Sequence, residues 1–422
     1  MASQIITEEL PNGLTLAVEP MPHLRSVSWT LLVEAGSAGD PDGQNGAAQL
    51  LSGMVYRGAG ERDARALSDA LDSLGVQRGG RLDLEYVTLG GSSLASELGS
   101  ALALYADIVR RPALPAVELD AERALALQAL ASLHDNPAQR LFSQLTQAYF
   151  PGPFGRPTLG TAEELEAIDI GDLQAEHTAR FKPSGAILAV AGGTTFEEAR
   201  RLALEHFGDW SGAPRPAPRA TPREEPFYEH LQQDTAQTQI GLAYAGLPIE
   251  HPDYYKARLG LNVLSGGMGA RLFTEVREKR GLVYSVAAVP RLQRGSGLVL
   301  GYAGTQPERA QETINVLAGE LRRLAEGVTA EELQRARTGL LSAMVMQGES
   351  TGARASAMAG DIFLIGRPRT LDEIRAGVDS VTLETLNAHL AATPEPRFTI
   401  LTLGPEPVSV PAHSRDRAPS GR

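Results

Sequence analysis

Arg277 and Tyr284 stand seven residues apart in the stretch Ser265–Ser285, SGGMGARLFTEVREKRGLVYS. One is a guanidinium and the other a phenol, so both donate hydrogen bonds. The stretch opens on a glycine cluster, Gly266, Gly267 and Gly269, and continues as a short amphipathic helix with Leu272, Phe273 and Val276 on its apolar face. Arg271–Glu275 and Glu275–Lys279 are expected as i,i+4 charge pairs on the opposite face. Lys279 and Arg280 suit the last turn, and Gly281 is placed for a left-handed C-cap. Leu282–Val289 reads as a strand, which brings Arg277 and Tyr284 to one junction. The stretch alone leaves the reaction open.

Other chemistries find less support. The glycine cluster lacks the lysine and Ser/Thr of a P-loop, and GGMG is not GxGxxG. Gly90–Leu94, GGSSL, lacks the strand–GxSxG–helix pattern of a serine nucleophile. The eight histidines never fall within five residues of one another, so neither HExxH nor HxxEH can be written. A helical zinc site needs histidines at i,i+4. Cysteine is absent, which removes disulfides, thiolate nucleophiles and cysteine–zinc sites.

The elements around the stretch point to two domains. With 422 residues, 42% hydrophobic and 21% charged, the chain exceeds one ordinary core and is globular in composition. A net charge of −12 disfavours nucleic acid and anionic membrane as partners. No apolar run approaches the ~20 residues of a membrane span, and MASQIITEELPNG has no signal-peptide pattern, so a cytoplasmic location is expected.

The proline-rich segment 211–226, SGAPRPAPRATPREEP, reads as an extended linker between residues 1–210 and 227–405, with 406–422 as a flexible tail. Before it, a hairpin turning at Asn12-Gly13 and strands at Val27–Glu34, Leu82–Gly91 and Ala186–Val190 alternate with helices. After it, strands are expected from Gln237–Tyr244 onward, with no element between Gly366 and Phe398. Glu118–Ala129 (ELDAERALALQA) aligns with Glu332–Ala343 (ELQRARTGLLSA) without a gap and shares Arg123/Arg337. Runs of strands then helices, twice, predict two α+β domains of common ancestry.

Over roughly residues 5–405 the sequence resembles the pitrilysin/insulinase family, inverted-zincin peptidases that include mitochondrial processing peptidase. Where that family carries GxxHFLEHMxFxGT, Gly46–Ala59 reads GAAQLLSGMVYRGA, keeping Gly46, Leu51, Met54 and Gly58. The resemblance places Gln49 and Gly53 at the two zinc histidines and Ser52 at the glutamate that activates water. Ala129, in Glu122–Leu130 (ERALALQAL), falls at the third ligand. Arg271–Tyr284 (RLFTEVREKRGLVY) matches the second-domain motif whose arginine and tyrosine bind substrate backbone and stabilise the oxyanion.

The resemblance implies a clam-shell of two homologous domains, each a mainly antiparallel sheet covered by helices. It also implies a chain without zinc of its own, inactive alone, that supplies Arg277 and Tyr284 to a zinc-bearing HxxEH partner acting on peptides. A structural or purely peptide-binding role is the alternative.

Overall fold

The computed structural model describes residues 4–410, and the chain divides into two compact units. The first holds Met1–Asp135, Gly152–Thr221 and Ala343–Arg375; the second holds Asn136–Pro151, Pro222–Ser342 and Ala376–Arg422. The divide falls within the expected linker, between Thr221 and Pro222, but the units do not follow the linear halves. Each takes in one helix from the other half of the sequence.

In the first unit the strands are β1 (Ile6–Glu9), β2 (Thr15–Pro20), β3 (Ser26–Val33), β4 (Gly58–Ala59), β5 (Arg62–Asp63), β6 (Gln77–Leu82), β7 (Val87–Leu94) and β8 (Ile187–Gly192). Six of them form a sheet ordered β1-β2-β8-β3-β7-β6, antiparallel except for β2 beside β8. Side chains alternate across it. Val27, Trp29, Leu31 and Val33 enter one core with the helices Ala47–Met54, Leu98–Arg110 and Phe196–Phe207. Leu32, Ala17, Ile187 and Ala189 face the other way, against Met358, Ile362 and Phe363 of the helix Thr351–Ile365.

The second unit repeats the plan with β9 (Phe227–Gln232), β10 (Thr238–Gly246), β11 (Val283–Gln293), β12 (Ser296–Thr305) and β13 (Thr399–Gly404), ordered β11-β12-β10-β13-β9. Only β13 and β9 are parallel. Ile240 and Leu242 pack with Ile314, Leu317 and Leu321. The opposite face receives the helix Pro137–Tyr149, so closely that a Cβ on Gly241 would lie 3.0 Å from Leu145 and 3.1 Å from Leu141.

The aligned arginines show how deep the repeat runs. Arg123 donates to the carbonyl of Ile168, just before Asp169 caps the helix Ile170–Arg180. Arg337 donates to the carbonyl of Val381, just before Thr382 caps the helix Leu383–Ala392. Each arginine satisfies a carbonyl at the same corner of its unit.

Several expectations need correction. The strand read over Leu82–Gly91 is a hairpin of β6 and β7, because QRGGRL carries no apolar alternation to announce β6. β9 and the helices Leu371–Asp379 and Leu383–Ala392 were absent from the sequence reading. Of the tail expected over 406–422, residues 411–422 lie outside the described residues. The part before them is held: Ser409 N–H donates to Gln311 Oε1 at 2.7 Å, and Val408 N–H to the Tyr228 hydroxyl at 3.1 Å.

The exchanged helix Thr351–Ile365 is tied down by charge as well as by packing. Arg354 Nε donates to Glu19 Oε2 at 2.6 Å, with both side chains buried. Removing one member strands the other charge without solvent. Arg354→Ala should therefore destabilise the first unit by about 3–5 kcal/mol, and Glu19→Leu/Arg354→Met should recover most of that. Both tryptophans, Trp29 and Trp210, lie in this unit, so urea unfolding followed by their fluorescence reads it. A loss below about 1 kcal/mol for Arg354→Ala, the scale of an exposed pair, would contradict the assignment.

Candidate functional site

Arg277 and Tyr284 meet as the sequence predicts, through backbone irregularities that the sequence does not announce. The turn that carries Arg277, Phe273–Glu278, is wound as a π-helix in which Lys279 N–H reaches back to Thr274 O. Widened turns of this kind are rare and concentrate at functional sites. Gly281, at φ +60°, lets its own N–H and that of Leu282 return to Arg277 O and Val276 O. β11 then starts with a bulge: Val283 faces Thr305 and Ser285 faces Gly304, leaving Tyr284 as the extra residue. A bulge re-aims a side chain without disturbing the ladder beyond it. Leu272, Val276, Leu282 and Val283, all buried, fix the junction to the core.

The outcome is a stack. The Arg277 guanidinium lies 4.8 Å from the Phe273 ring centre and 5.2 Å from that of Tyr284. Such contacts hold a cation in place while leaving its N–H donors at the ring edges free. Tyr284 is 79% exposed, which leaves its hydroxyl open to solvent or to a bound molecule.

The surrounding acids are committed elsewhere. Glu275 takes Lys279 at 2.7 Å and Arg280 at 2.8 Å. Glu332 takes Arg271 at 2.6 Å, which corrects the expected Arg271–Glu275 pair, and this bond holds the Glu332 carboxyl down at about 2. Among the described residues no carboxylate pairs with Arg277, and the Tyr284 hydroxyl has no hydrogen-bond partner. Two donors are thus positioned and unspent.

The four motif positions of the first unit lie on two helices side by side, Gln49, Ser52 and Gly53 on Ala47–Met54 and Ala129 on Ala116–Asp135. Asp40 anchors the first of these, accepting from Gly46 N–H at 2.9 Å and Ala48 N–H at 3.1 Å; burial pushes its carboxyl up to about 6 despite Arg180 at 3.1 Å. Leu50, Leu51 and Met54 are buried, which turns Gln49, Ser52 and Gly53 outward. The Ser52 hydroxyl is spent on Gln49 O at 2.8 Å. At Gly53 a Cβ would fall 2.2 Å from Glu122 Oε2. That carboxylate fills the space a side chain would need, and Arg57 Nε donates to its other oxygen at 2.5 Å.

A feature missed by sequence reasoning adjoins these positions. β6 is a sheet edge, exposed along nearly its whole length, with no strand on its outer side among the described residues. A groove of about 400 Å3 runs between it and Ser52 and Tyr56, and another of about 710 Å3 is lined by hydroxyls of Ser28, Thr30, Ser92 and Thr351. An exposed edge beside a groove is the geometry that takes up an extended peptide as an added strand. The signal available was the pairing of Gly79 with Gly90 and of Arg78 with Gly91, a stretch of the two strands with little side-chain bulk.

This is the fold and site of a peptidase-like protein built from two related sheets. The pattern described as Insulinase (Peptidase family M16) matches residues 15–162, and that described as Peptidase M16 inactive domain matches 167–340. A protein of Mycobacterium tuberculosis described as an uncharacterized zinc protease is 30% identical over 409 residues, 94% of this chain and 92% of its own length. A Bacillus subtilis protein described as uncharacterized zinc protease YmxG is 28% identical, covering 89% of this chain and 92% of its own length. Among solved structures, a peptidase M16 inactive domain from Pseudomonas fluorescens superposes with a TM-score of 0.88 at 23% identity over 97% of this chain and 100% of its own. A chain of complex III2 from Candida albicans gives 0.82 at 18%, over 95% and 96%. The chain belongs to the pitrilysin/insulinase family, peptidase family M16.

The relatives' names imply zinc, and the residues here do not fit it. An amide, a hydroxyl, a hydrogen and a methyl stand at Gln49, Ser52, Gly53 and Ala129. Among the described residues no three His, Asp, Glu or Cys side chains converge as a metal site would require. Glu122, the carboxylate that lies against them, is neutralised by Arg57.

The Gly53–Glu122 contact makes a specific prediction. Gly53→Ala should push Glu122 off Arg57 and cost about 1–3 kcal/mol, as overpacking does. In Glu122→Ala the same substitution should cost almost nothing, a coupling that tryptophan-monitored unfolding would measure. Additive losses would show that the contact is not the cause.

Proposed function

We propose that this chain is the non-zinc-binding subunit of a two-chain metallopeptidase. It binds an extended peptide and presents Arg277 and Tyr284 to the peptide bond, while hydrolysis belongs to a homologous partner that carries HxxEH. The reading rests on one asymmetry. The arginine–tyrosine pair is assembled, stacked and free of internal partners, whereas the four metal-motif positions carry no ligand and one is packed over by Glu122.

In this role the two donors would meet the peptide carbonyl oxygen as it gains negative charge, a preorganised contact that needs no rearrangement. The exposed edge of β6 supplies main-chain donors and acceptors for an extended segment, and its grooves are open to side chains. No helix among the described residues is long and apolar enough to cross a membrane. A cytoplasmic setting, where a peptide-degrading pair would meet its substrates, belongs to the same proposal.

A second reading, peptide capture without catalysis, is favoured by β6 itself, since strand addition requires no metal. Cleavage assays separate the two. The purified chain should not hydrolyse unstructured peptides, with or without added zinc, and hydrolysis should appear on mixing with an HxxEH homologue from the same genome. Chelator-sensitive cleavage by the chain alone would overturn the proposal. Peptide binding with no gain in cleavage from any such homologue would leave the capture reading in its place.

A further inference from the structure

Another cavity lies within the second unit and is lined by neither Arg277 nor Tyr284. It measures about 410 Å3 and opens between the helices Tyr254–Ser265 and Leu383–Ala392 and the ends of β10, β11 and β12. That volume is typical of small-molecule sites, which are apolar with a few polar groups placed at one end. Its walls are carbon, from Leu247, Leu261, Leu292, Leu298 and Leu390. Apolar surface of this kind gains about 25 cal/mol for each Å2 that an occupant removes from water.

The polar groups in the lining are biased toward donors. Arg258 borders the cavity and among the described residues pairs with no carboxylate, whereas Arg291, in register with Leu298 and Ala245, is exposed on the sheet face opposite Tyr244. The acid of the lining, Asp253, is already taken by Lys256 Nζ at 2.5 Å, with His389 Nδ1 at 3.4 Å. The Tyr244 hydroxyl also lines the cavity and has no hydrogen-bond partner among the described residues. Burial pushes that phenol up, so it remains an O–H donor. A guanidinium matches a carboxylate in bidentate geometry, and a phenol O–H without an internal partner can donate to the same oxygen.

We propose that this cavity binds a small molecule with an apolar body and a carboxylate head, the body against Leu261 and Leu390 and the head at Arg258 and Tyr244. An aliphatic acid and the C-terminal residue of an apolar peptide share that chemistry.

Titration calorimetry on the full chain with decanoate, decanol and a short peptide ending in leucine distinguishes them. Saturable binding of decanoate or of the peptide, at least about tenfold tighter than decanol, is the expected result, and the tighter of the two identifies the source. Arg258→Gln should weaken the carboxylate about tenfold and leave decanol unchanged. Ala257→Phe, which fills the cavity, should abolish all three, with circular-dichroism melting to confirm that both variants are folded. Equal binding of decanoate and decanol would overturn the inference. So would an unchanged affinity in the folded variants, or no saturable binding of either acid below about 1 mM.

Discussion

A β-sheet buried on both faces needs two layers of cover, and in this protein each half of the sequence supplies its own sheet with cover for one face only. The second layer is a helix drawn from the other half: Thr351–Ile365 on the first sheet, Pro137–Tyr149 on the second. Much follows from that requirement. It explains why β3 and β8 alternate between two hydrophobic cores where a one-sided sheet would be polar on one face. It explains the buried Glu19–Arg354 pair, which fixes the exchanged helix at one register. It also accounts for Gly241, where any side chain would collide with Leu141 and Leu145.

On that scaffold the two units have diverged in opposite directions. In the second, three local irregularities fall together: a π-turn, a left-handed glycine and a bulge, all within Phe273–Ser285. Their joint effect is to stack Arg277 against Tyr284 while Glu275 and Glu332 are occupied by other cations. In the first unit, the helix that would carry metal ligands is well anchored by Asp40 yet presents an amide, a hydroxyl and a bare Cα. Its remaining space is closed by the Arg57–Glu122 pair. The scaffold persists on one side and the donors on the other.

The elements with strong periodicity were legible from sequence. The β1–β2 hairpin turning at Gly13 and the Gly281 stop stand where the residues place them. The family was legible as well, because Gly46, Leu51, Met54 and Gly58 survive as packing residues after the ligands have gone. What stayed hidden depends on tertiary partners. β6 has no apolar alternation and exists because β7 pairs with it. β9 is a parallel edge strand defined by β13. The Arg271–Glu332 bond joins residues sixty-one apart, which local i,i+4 spacing cannot foresee. The exchange of helices between units leaves no mark in either helix, whose amphipathic pattern is the same whichever sheet it covers.

The claim that Arg277 and Tyr284 act on a peptide bond is tested most directly by steady-state kinetics of the reconstituted pair. With Arg277→Ala/Tyr284→Phe in this chain and an unaltered HxxEH partner, kcat should fall by about 10²–10³, the effect of losing oxyanion donors, while the two chains still assemble. Full activity from the doubly substituted pair would contradict the account.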